Sequence, residues 1–281
     1  MNLQILGDEM STKTKKGKKK FKEDFDKYDY YFRSVQSPEN DVEFFRKTYK
    51  ELKNKEPLSF REDFCGTHAI SCEWVKLDSK KTAVGVDLDP EPIEYGDKTY
   101  ASKLSDNQKN RMTIIEGNVL DKGVSKTDIV SASNFSYFIF KKRQDLLEYY
   151  KTAYNNVDED GIFIVDCFGG SKCMEANEEE TEHEDFSYFW DQDSYDPVTN
   201  YALFHIHFKP DGYKKVKEAF TYDWRMWSIP EIKEIMHEAG FSKVHVYWEQ
   251  SDEDGDGNGE FERVEMGEEC EAWIAYIVGE K

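Results

Sequence analysis

The stretch from Pro57 to Asp89, PLSFREDFCGTHAISCEWVKLDSKKTAVGVDLD, decides the fold class of this chain. Leu58 to Phe64 have the pattern of a short strand, and the small residues of Cys65-Gly66-Thr67 let the backbone turn sharply into a helix. Thr82 to Val86 form a second apolar strand that ends at Asp87. Strand, turn, helix and strand make a βαβ unit, in which a ligand binds outside the carboxyl ends of the strands.

Asp87 is the acid that ends the second strand, about 20 residues after the turn. In this geometry a carboxylate accepts hydrogen bonds from ribose hydroxyls. A nicotinamide dinucleotide would need glycines in the pattern G-x-G-x-x-G, because they let the backbone approach a pyrophosphate. The turn contains Gly66 alone, so the sequence predicts a nucleoside ligand without a pyrophosphate.

Three stretches resemble motifs of the class I S-adenosylmethionine-dependent methyltransferases. Glu62 to Thr67 is similar to their first motif, Gly85 to Asp89 to their second, and Glu116 to Val119 to the turn that contacts adenine. Phe64 and His68 stand where this family usually has glycine. The stretches REDFCGT, GVDLDPEP and TYDWRMWSIPEI are also similar to a subgroup of these enzymes, and they do not indicate its substrate.

The resemblance implies an α/β fold with a Rossmann-like, seven-stranded, mostly parallel sheet and helices on both faces, to which an antiparallel hairpin insertion is added. It also implies S-adenosylmethionine as the cofactor and S-adenosylhomocysteine as its product. The residues expected to contact the cofactor are Glu62, Asp63, Cys65, Gly66, Thr67, Asp87, Leu88, Gly117, Asn118, Val119 and Asn134.

The segment from Ser133 to Tyr137 follows the fourth predicted strand, at the ligand end of the sheet. This position sets Asn134 and Tyr137 against the reacting methyl group or the acceptor. Tyr137 is therefore a candidate catalytic and acceptor-binding residue. A capping and packing role for both side chains is an equal alternative.

The composition indicates a large single domain with an acidic surface. The 281 residues carry a formal net charge of −20, and 38% of them are hydrophobic. Sequence-independent affinity for nucleic acids comes from Lys and Arg neutralising phosphates, so general nucleic-acid binding is not expected and neutral or cationic acceptors are favoured. The five cysteines form no CxxC pair, and no apolar run approaches the roughly 20 residues that span a bilayer, so we expect a cytoplasmic protein without a membrane partner.

The chain before the first strand divides into two parts. Residues 1–24 are rich in lysine and predict a basic, disordered tail. The alternative is that this segment is a nuclear localisation signal or an electrostatic tether. Residues 25–56 have the apolar spacing of amphipathic helices and predict a helical lid, with Tyr31 and Arg33 against the substrate. The alternative is that these side chains pack the segment onto the sheet. Residues 57–281 are then the methyltransferase domain.

Residues from about 171 to 227 interrupt the alternation of strands and helices and predict an insertion. The acid run from Glu178 to Asp185 predicts a solvated loop, and an aromatic cluster around Trp190 follows it. Acids beside aromatic faces can hold cations, although an insertion that packs its own aromatics is the alternative. Trp190 and Trp227 are the candidate acceptor contacts of this segment.

Residues 201–209 and 213–224 alternate around a Pro-Asp-Gly turn and predict a β-hairpin within the insertion. His205 and His207 share one face of this hairpin, and apolar residues occupy the other. His205 is a candidate general base. The sequence offers no third and fourth ligand at a convincing spacing, so we expect no metal here.

The acidic loop from 252 to 265 matches the EF-hand calcium pattern at Asp254, Asp256, Asn258, Gly259 and Glu265. An EF-hand loop joins two helices, whereas this loop joins two predicted strands. The context favours a chance match and leaves calcium binding as an open alternative.

Together these patterns predict a methyltransferase that transfers a methyl group to nitrogen or oxygen of a small-molecule acceptor. The insertion and the helical lid would form the acceptor pocket. A protein or peptide methyltransferase is one alternative and would have an open groove. A catalytically inactive adaptor that binds S-adenosylmethionine is the other, favoured by Phe64, His68 and Asn118. The sequence does not predict the oligomeric state.

Overall fold

The computed structural model describes residues 25–121, 125–252, 255 and 257–281. The predicted tail, residues 1–24, lies outside this part of the chain. The described α-helices are α1 (Lys27–Val35), α2 (Pro38–Lys53), α3 (Ala69–Leu77), α4 (Pro90–Thr99), α5 (Asp106–Lys109), α6 (Arg143–Asn156) and α7 (Ile229–Ala239). None of these described helices is both long and apolar enough to cross a membrane.

The described strands form two sheets. The large sheet contains β1 (Ser59–Asp63), β2 (Thr82–Asp87), β3 (Met112–Glu116), β4 (Thr127–Ala132), β5 (Val157–Gly169), β10 (Lys243–Ser251), β11 (Gly257–Val264) and β12 (Trp273–Glu280). The small sheet contains β6 (Asn177–Glu182), β7 (Phe186–Asp196), β8 (Tyr201–Pro210) and β9 (Val216–Arg225).

The strand order of the large sheet is β11-β10-β12-β5-β4-β1-β2-β3. The strands β1 to β5 pair in parallel, and β12 runs antiparallel to both β5 and β10. The chain order reverses between β1 and β4, and ligands of open α/β sheets bind outside the carboxyl ends of the strands at such a point. The predicted Rossmann-like, mostly parallel sheet is confirmed.

The strand β11 makes the large sheet eight-stranded, whereas the sequence predicts seven strands. It pairs antiparallel with β10 at the edge of the sheet. The ring of Phe261 in β11 packs against Phe44 and Tyr276, with centroid distances of 5.4 and 4.7 Å. This apolar contact gives the second half of the acidic loop a partner, so that half forms a strand.

Part of the predicted EF-hand pattern lies in this strand. Asn258 and Gly259 belong to β11, whereas Asp254 and Asp256 lie outside the described residues. An EF-hand loop has helices on both sides, and the described part of this segment is a strand on the edge of a sheet.

Helices cover both faces of the large sheet because its central strands are apolar on both sides. In β4, the neighbouring residues Ile129 and Val130 point to opposite faces, and both are fully buried. The helices α2 and α3 pack over one face through residues that include Phe45 and Trp74. The helices α6 and α7 pack over the other face, where Leu146 belongs to the core.

The insertion forms a four-stranded antiparallel sheet in the order β6-β7-β8-β9, which is larger than the predicted hairpin. The acid run does not form the predicted solvated loop throughout, because its first half is the strand β6. This strand pairs with the aromatic strand β7, and lysines face its carboxylates. Lys215 lies 2.8 Å from Glu178, and Lys172 lies 3.7 Å from Glu179.

The carboxylate of Glu280 connects α2, β10 and β12 at the last residue of β12. Its oxygens lie 2.8 Å from Lys53 Nζ and 2.7 Å from His245 Nε2, and all three side chains are at most 11% exposed. Burial alone would raise the pKa of Glu280. The hydrogen bonds from Lys53 and His245 outweigh burial and lower this pKa to about 2.

We predict that Glu280→Gln lowers the free energy of unfolding at pH 7 by about 2 kcal/mol, because hydrogen bonds to charged groups contribute about 1.5–3 kcal/mol. The folded-state pKa lies below the value of about 4.3 for an unfolded chain. The stabilisation is therefore complete above about pH 5 and is lost as the pH falls toward 2. Urea unfolding of both proteins between about pH 3 and pH 7 measures the difference.

Glu148→Gln is the control for this prediction, since Glu148 is exposed on α6. Equal losses of stability in the two variants would contradict the prediction. A difference in the free energy of unfolding between the wild type and Glu280→Gln that increases as the pH falls would also contradict the prediction.

Candidate functional site

The turn after β1 lies beside the end of β2, at the carboxyl edge of the sheet. The N–H of Cys65 donates to the carbonyl of Val86 at 3.0 Å. Asp87 accepts a hydrogen bond from the N–H of Gly66 at 2.8 Å and another from the N–H of Asp89 at 2.9 Å. The acid predicted to bind ribose and the turn after β1 are therefore in direct contact.

The turn borders open space and contains an unpartnered polar atom. Gly66 has a φ of 48°, and a Cβ added to it would meet no atom within 4 Å. Thr67 Oγ1 is buried and has no hydrogen-bond partner among the described residues. On the other side of the turn, a Cβ on Gly96 of α4 would come within 2.1 Å of the Thr67 carbonyl oxygen, so this glycine lets α4 pack against the turn. These features fit a small ligand that lies against Gly66.

Phe64 and His68 stand where the methyltransferase family usually has glycine. Their backbone conformation explains the family's preference for glycine at these two positions. Phe64 has a φ of 58° and His68 a φ of 46°, and both values fall in the left-handed region that glycine occupies readily. The turn therefore follows the backbone path of a glycine turn with two larger residues. A left-handed residue other than glycine costs about 1–2 kcal/mol, which the surrounding packing must offset.

The carboxylates of Glu62 and Asp63 support the turn from the protein side. Glu62 accepts hydrogen bonds from the backbone N–H and the hydroxyl of Ser71 in α3. Asp63 accepts hydrogen bonds from Arg61 at 2.6 Å and from the Tyr149 hydroxyl at 3.0 Å. Burial raises the pKa of Glu62 to about 8. The two acids position the turn in this structure, and their carboxylate hydrogen bonds are made within the protein.

The turn after β3 lies next to Asp87. The N–H of Gly117 donates to the carbonyl of Asp87 at 2.8 Å. The side-chain oxygen of Asn118 accepts a hydrogen bond from the N–H of Leu120 at 3.0 Å, and Val119 is buried. Leu88, in contrast, is 63% exposed beside Asp87. An apolar contact surface and an amide therefore flank the predicted ribose site.

The helix α1 extends from this site to a cavity. Lys27 forms an ion pair with Glu91 at the start of α4, and the Tyr28 ring lies 4.8 Å from the Tyr95 ring. Burial and the nearby acids Glu91, Asp89 and Asp87 raise the pKa of Tyr28. Tyr31, one helical turn later, lines the cavity.

The cavity has a volume of about 560 Å³ and lies outside the ends of β4 and β5. The helix α1, the small sheet and the strands β10 and β12 complete its wall. Its lining is largely aromatic and includes Tyr31, Phe168, Trp190, Tyr222, Trp224 and Tyr276. Of the predicted site residues, Tyr31, Trp190 and Asn134 line it, whereas Asp87 and the turn after β1 lie outside its lining. The structure thus has a crevice suited to a nucleoside and a separate cavity, and α1 contacts both.

Two acids that the sequence analysis does not single out line the cavity, Asp41 and Asp166. Asp166 accepts hydrogen bonds from the N–H groups of Asn134 at 2.6 Å and Phe135 at 2.8 Å, both of which are left-handed residues. Burial raises the pKa of Asp166 to about 7 and that of Asp41 to about 6. A polar residue inside the apolar strand β5 was the available signal for Asp166. Asp41 resembles an ordinary acid in the first turn of a helix.

Four predicted site residues have other roles in the structure and do not line the cavity. The buried Tyr137 hydroxyl donates to the carbonyl of Asp166 at 2.8 Å, and Trp227 Nε1 donates to a backbone carbonyl at 3.2 Å. His205 forms a hydrogen bond with Thr221 on the opposite face of β8 from the cavity. Arg33 forms an ion pair with Asp185 of the insertion. The observed contacts of these four residues are hydrogen bonds and an ion pair within the protein, as expected for packing roles.

His207 lies with Glu178 and Asp191 in a group that the sequence spacing does not reveal. The N–H of Glu218 donates to His207 Nδ1 at 2.7 Å, so the neutral ring carries its proton on Nε2 and donates it to Asp191 at 2.9 Å. A metal ion would need the lone pair on Nε2. Because Lys215 also pairs with Glu178, the contacts describe a hydrogen-bonded network.

No protein-family model matches the chain. Its fold is similar to that of solved methyltransferases of low sequence identity. An S-adenosylmethionine-dependent methyltransferase from Clostridium acetobutylicum is 17% identical, with a TM-score of 0.63 over 89% of this chain and 95% of that one. The sugar N-methyltransferase KedS8 from Streptoalloteichus is 13% identical, with a TM-score of 0.60 over 100% and 97%.

The amino pentose methyltransferase CalS10 from Micromonospora echinaspora is 9% identical, with a TM-score of 0.62 over 90% of this chain and 97% of that one. The match to these proteins extends over nearly their full length. The chain has the fold of the S-adenosylmethionine-dependent methyltransferases.

Proposed function

We propose that the chain is an S-adenosylmethionine-dependent methyltransferase that transfers a methyl group to nitrogen or oxygen of a small molecule, with nitrogen favoured. The observation that carries this proposal is the aromatic cavity beside the ligand crevice of a methyltransferase fold. Its volume of about 560 Å³ lies in the range of about 300–1,000 Å³ that small-molecule sites usually have.

The crevice at Asp87 is suited to the cofactor. Asp87 would accept hydrogen bonds from the ribose, and the exposed Leu88 would contact the adenine, whose edge Asn118 would bond. The open space beside Gly66 and the unpartnered Thr67 hydroxyl would accommodate the amino-acid end of the molecule. When bound, S-adenosylmethionine supplies an electrophilic methyl group.

The protein contributes positioning and the exclusion of water. The helix α1 contacts the crevice through Tyr28 and the cavity through Tyr31, so one rigid element would align the two ligands. Alignment of reactants can contribute about 7–11 kcal/mol to lowering a barrier. An aromatic wall around the acceptor keeps water from competing for the methyl group.

Asp166 is our candidate for the group that accepts a proton from the acceptor. It lines the cavity next to Asn134, and burial brings its pKa to about 7, close to the pH at which a general base is efficient. It replaces Tyr137 and His205 in this role, since neither of them lines the cavity. Two observations favour nitrogen as the methylated atom. An acid beside aromatic rings can bind an amine. Two proteins of similar fold are described as a sugar N-methyltransferase and an amino pentose methyltransferase.

The cavity also weighs against the two alternatives. A protein or peptide acceptor needs an open groove, whereas this space is bordered by α1, the large sheet and the small sheet. An adaptor without activity has no requirement for an acceptor space. The glycine-like backbone at Phe64 and His68 removes one reason for expecting a defective cofactor turn.

We predict that Asp87→Asn weakens S-adenosylmethionine binding by about 10- to 100-fold, because hydrogen bonds to a charged group contribute about 1.5–3 kcal/mol. Calorimetry with the wild type and the variant measures this, and a thermal melt checks the fold, since Asp87 also binds Gly66. Glu94→Gln on the exposed side of α4 is the control and should bind as the wild type does. Absence of binding by the wild type, or unchanged binding by Asp87→Asn, would contradict the proposed cofactor site.

The function itself is tested with S-adenosylmethionine labelled in its methyl group and a panel of small amines and phenols. We expect label to move to at least one amine in the wild type and the transfer to drop in Asp87→Asn. Labelling of proteins in place of small molecules would favour the peptide alternative. Cofactor binding without transfer to any compound of a broad panel would favour the adaptor.

We predict that Asp166 makes the wild type less stable as the pH rises from about 4 to 7. Its folded pKa of about 7 lies above the ordinary value of 3.8, so the folded state binds the proton more tightly and stability falls as the pH rises through this window. A pKa raised from 3.8 to about 7 corresponds to at most about 4 kcal/mol. Urea unfolding across this range measures the free energy of unfolding of the wild type and of Asp166→Asn. We expect the stability of the variant relative to the wild type to increase as the pH rises. A difference independent of pH would show that Asp166 has an ordinary pKa.

A further inference from the structure

The cavity is lined by more carboxylates than its own basic side chains pair with. Its lining includes the carboxylates of Asp41, Asp166, Glu179, Glu249 and Glu268. The lysine in the same lining, Lys172, already lies 3.7 Å from Glu179 and from Glu271. Within the described part of the chain, Asp41, Asp166 and Glu249 take part in no ion pair with a basic side chain.

These three carboxylates surround one tyrosine. The hydroxyl of Tyr276 donates to Asp41 at 3.1 Å, and Tyr276 lies directly opposite Asp166 in the pairing of β12 with β5. Tyr276 is also opposite Tyr247 of β10, and Glu249 follows two residues later on the same face. Burial raises the pKa of Tyr276, and the charges of Asp41, Asp166 and Glu249 raise it further.

Asp166 accepts two backbone N–H groups, Asp41 accepts the Tyr276 hydroxyl and Glu249 accepts the N–H of Gly259, so their hydrogen-bond donors are neutral. Burying a carboxylate without a positive partner carries a desolvation cost. A bound cation relieves this cost, and aromatic faces such as those of Tyr31, Trp190 and Tyr222 add a favourable cation–π contribution. A phosphate or carboxylate on the acceptor would instead meet like charge in a region of low dielectric. The chemistry of the cavity therefore selects positively charged nitrogen and rejects anionic groups.

The nitrogen that is methylated cannot be the group that neutralises all three acids. A protonated amine has no free electron pair, so the reacting nitrogen must be uncharged when the new bond forms. Asp166 is the acid assigned to that nitrogen under the proposed function. Asp41 and Glu249 are then left without a positive partner.

We infer that the acceptor is a diamine whose second nitrogen stays positively charged and is held by Asp41 and Glu249, while the first lies beside Asp166. The part that concerns methylation rests on the proposed function, whereas the binding of the charged nitrogen does not. The aromatic walls would contact the carbon chain between the two nitrogens.

Calorimetry with three compounds of equal chain length tests this inference in the absence of cofactor. The probes are 1,6-diaminohexane, hexylamine and 6-aminohexanoate, which carry two positive charges, one positive charge, and one charge of each sign. We expect the diamine to bind about tenfold or more tightly than hexylamine, and 6-aminohexanoate to bind more weakly than both. Asp41→Asn and Glu249→Gln should each reduce the preference for the diamine over hexylamine by about tenfold.

Glu184→Gln, an exposed acid of the insertion, makes the same change in charge outside the cavity and should leave the preference unchanged. Thermal melts identify any variant that fails to fold, and the other variant of the pair then carries the test. Equal affinities for the diamine and hexylamine, absence of binding by either, or an equal effect of Glu184→Gln would overturn the inference.

The outcomes also separate this inference from the proposed function. Diamine binding without S-adenosylmethionine binding would leave the cation site in place and refute the methyltransferase. S-adenosylmethionine binding that depends on Asp87, with no preference for the diamine, would retain the methyltransferase and refute the diamine.

Discussion

The packing of α1 against the small sheet is the contact on which one wall of the cavity depends. Tyr30 is 2% exposed, and its ring lies 4.5 Å from the ring of Phe186 and 5.5 Å from that of Phe208. Arg33 adds an ion pair with Asp185 at the rim of this contact. Without the packing of α1 on the small sheet, the aromatic wall would face water. The carboxylates behind this wall would then be solvated as ordinary surface acids.

This contact also links the two parts of the proposed site. The first residues of α1 lie against α4 and the acids near Asp87, and the following turn lies against the cavity. Residues three or four apart on a helix share a face, so a short helix can touch both places with fixed spacing. The helix α1 and the small sheet are distant in the chain, yet their aromatic side chains make a single wall.

The sequence predicts the parts of the fold that local patterns determine. The apolar strands and the turn between 57 and 89 identify a βαβ unit without any knowledge of tertiary structure, and the parallel sheet follows from it. The prediction that Asp87 lies at the ligand edge of the sheet has the same basis, because the carboxyl ends of neighbouring parallel strands meet at one edge. Tyr31, Trp190 and Asn134 also line the cavity that the sequence predicts as the acceptor pocket.

Long-range pairing explains what the sequence does not predict. The acid run has the pattern of a loop, and it forms the strand β6 because β7, Lys172 and Lys215 give it partners. The segment β11 becomes a strand through Phe261, which packs on Phe44 and Tyr276. Asp41 looks like any acid in the first turn of a helix, because its position opposite Tyr276 depends on how α2 crosses the sheet. Tyr137 follows the correct strand but turns inward, where its hydroxyl meets a backbone carbonyl.

Under the proposed function, the crevice at Asp87 and the aromatic cavity form one site for two ligands. A crystal structure of the protein with S-adenosylhomocysteine tests it most directly. We expect the ribose at Asp87, the adenine beside Leu88 and Asn118, and the sulfur directed past Asn134 toward the cavity. A nucleoside bound elsewhere, or a sulfur that points away from the cavity, would contradict the account.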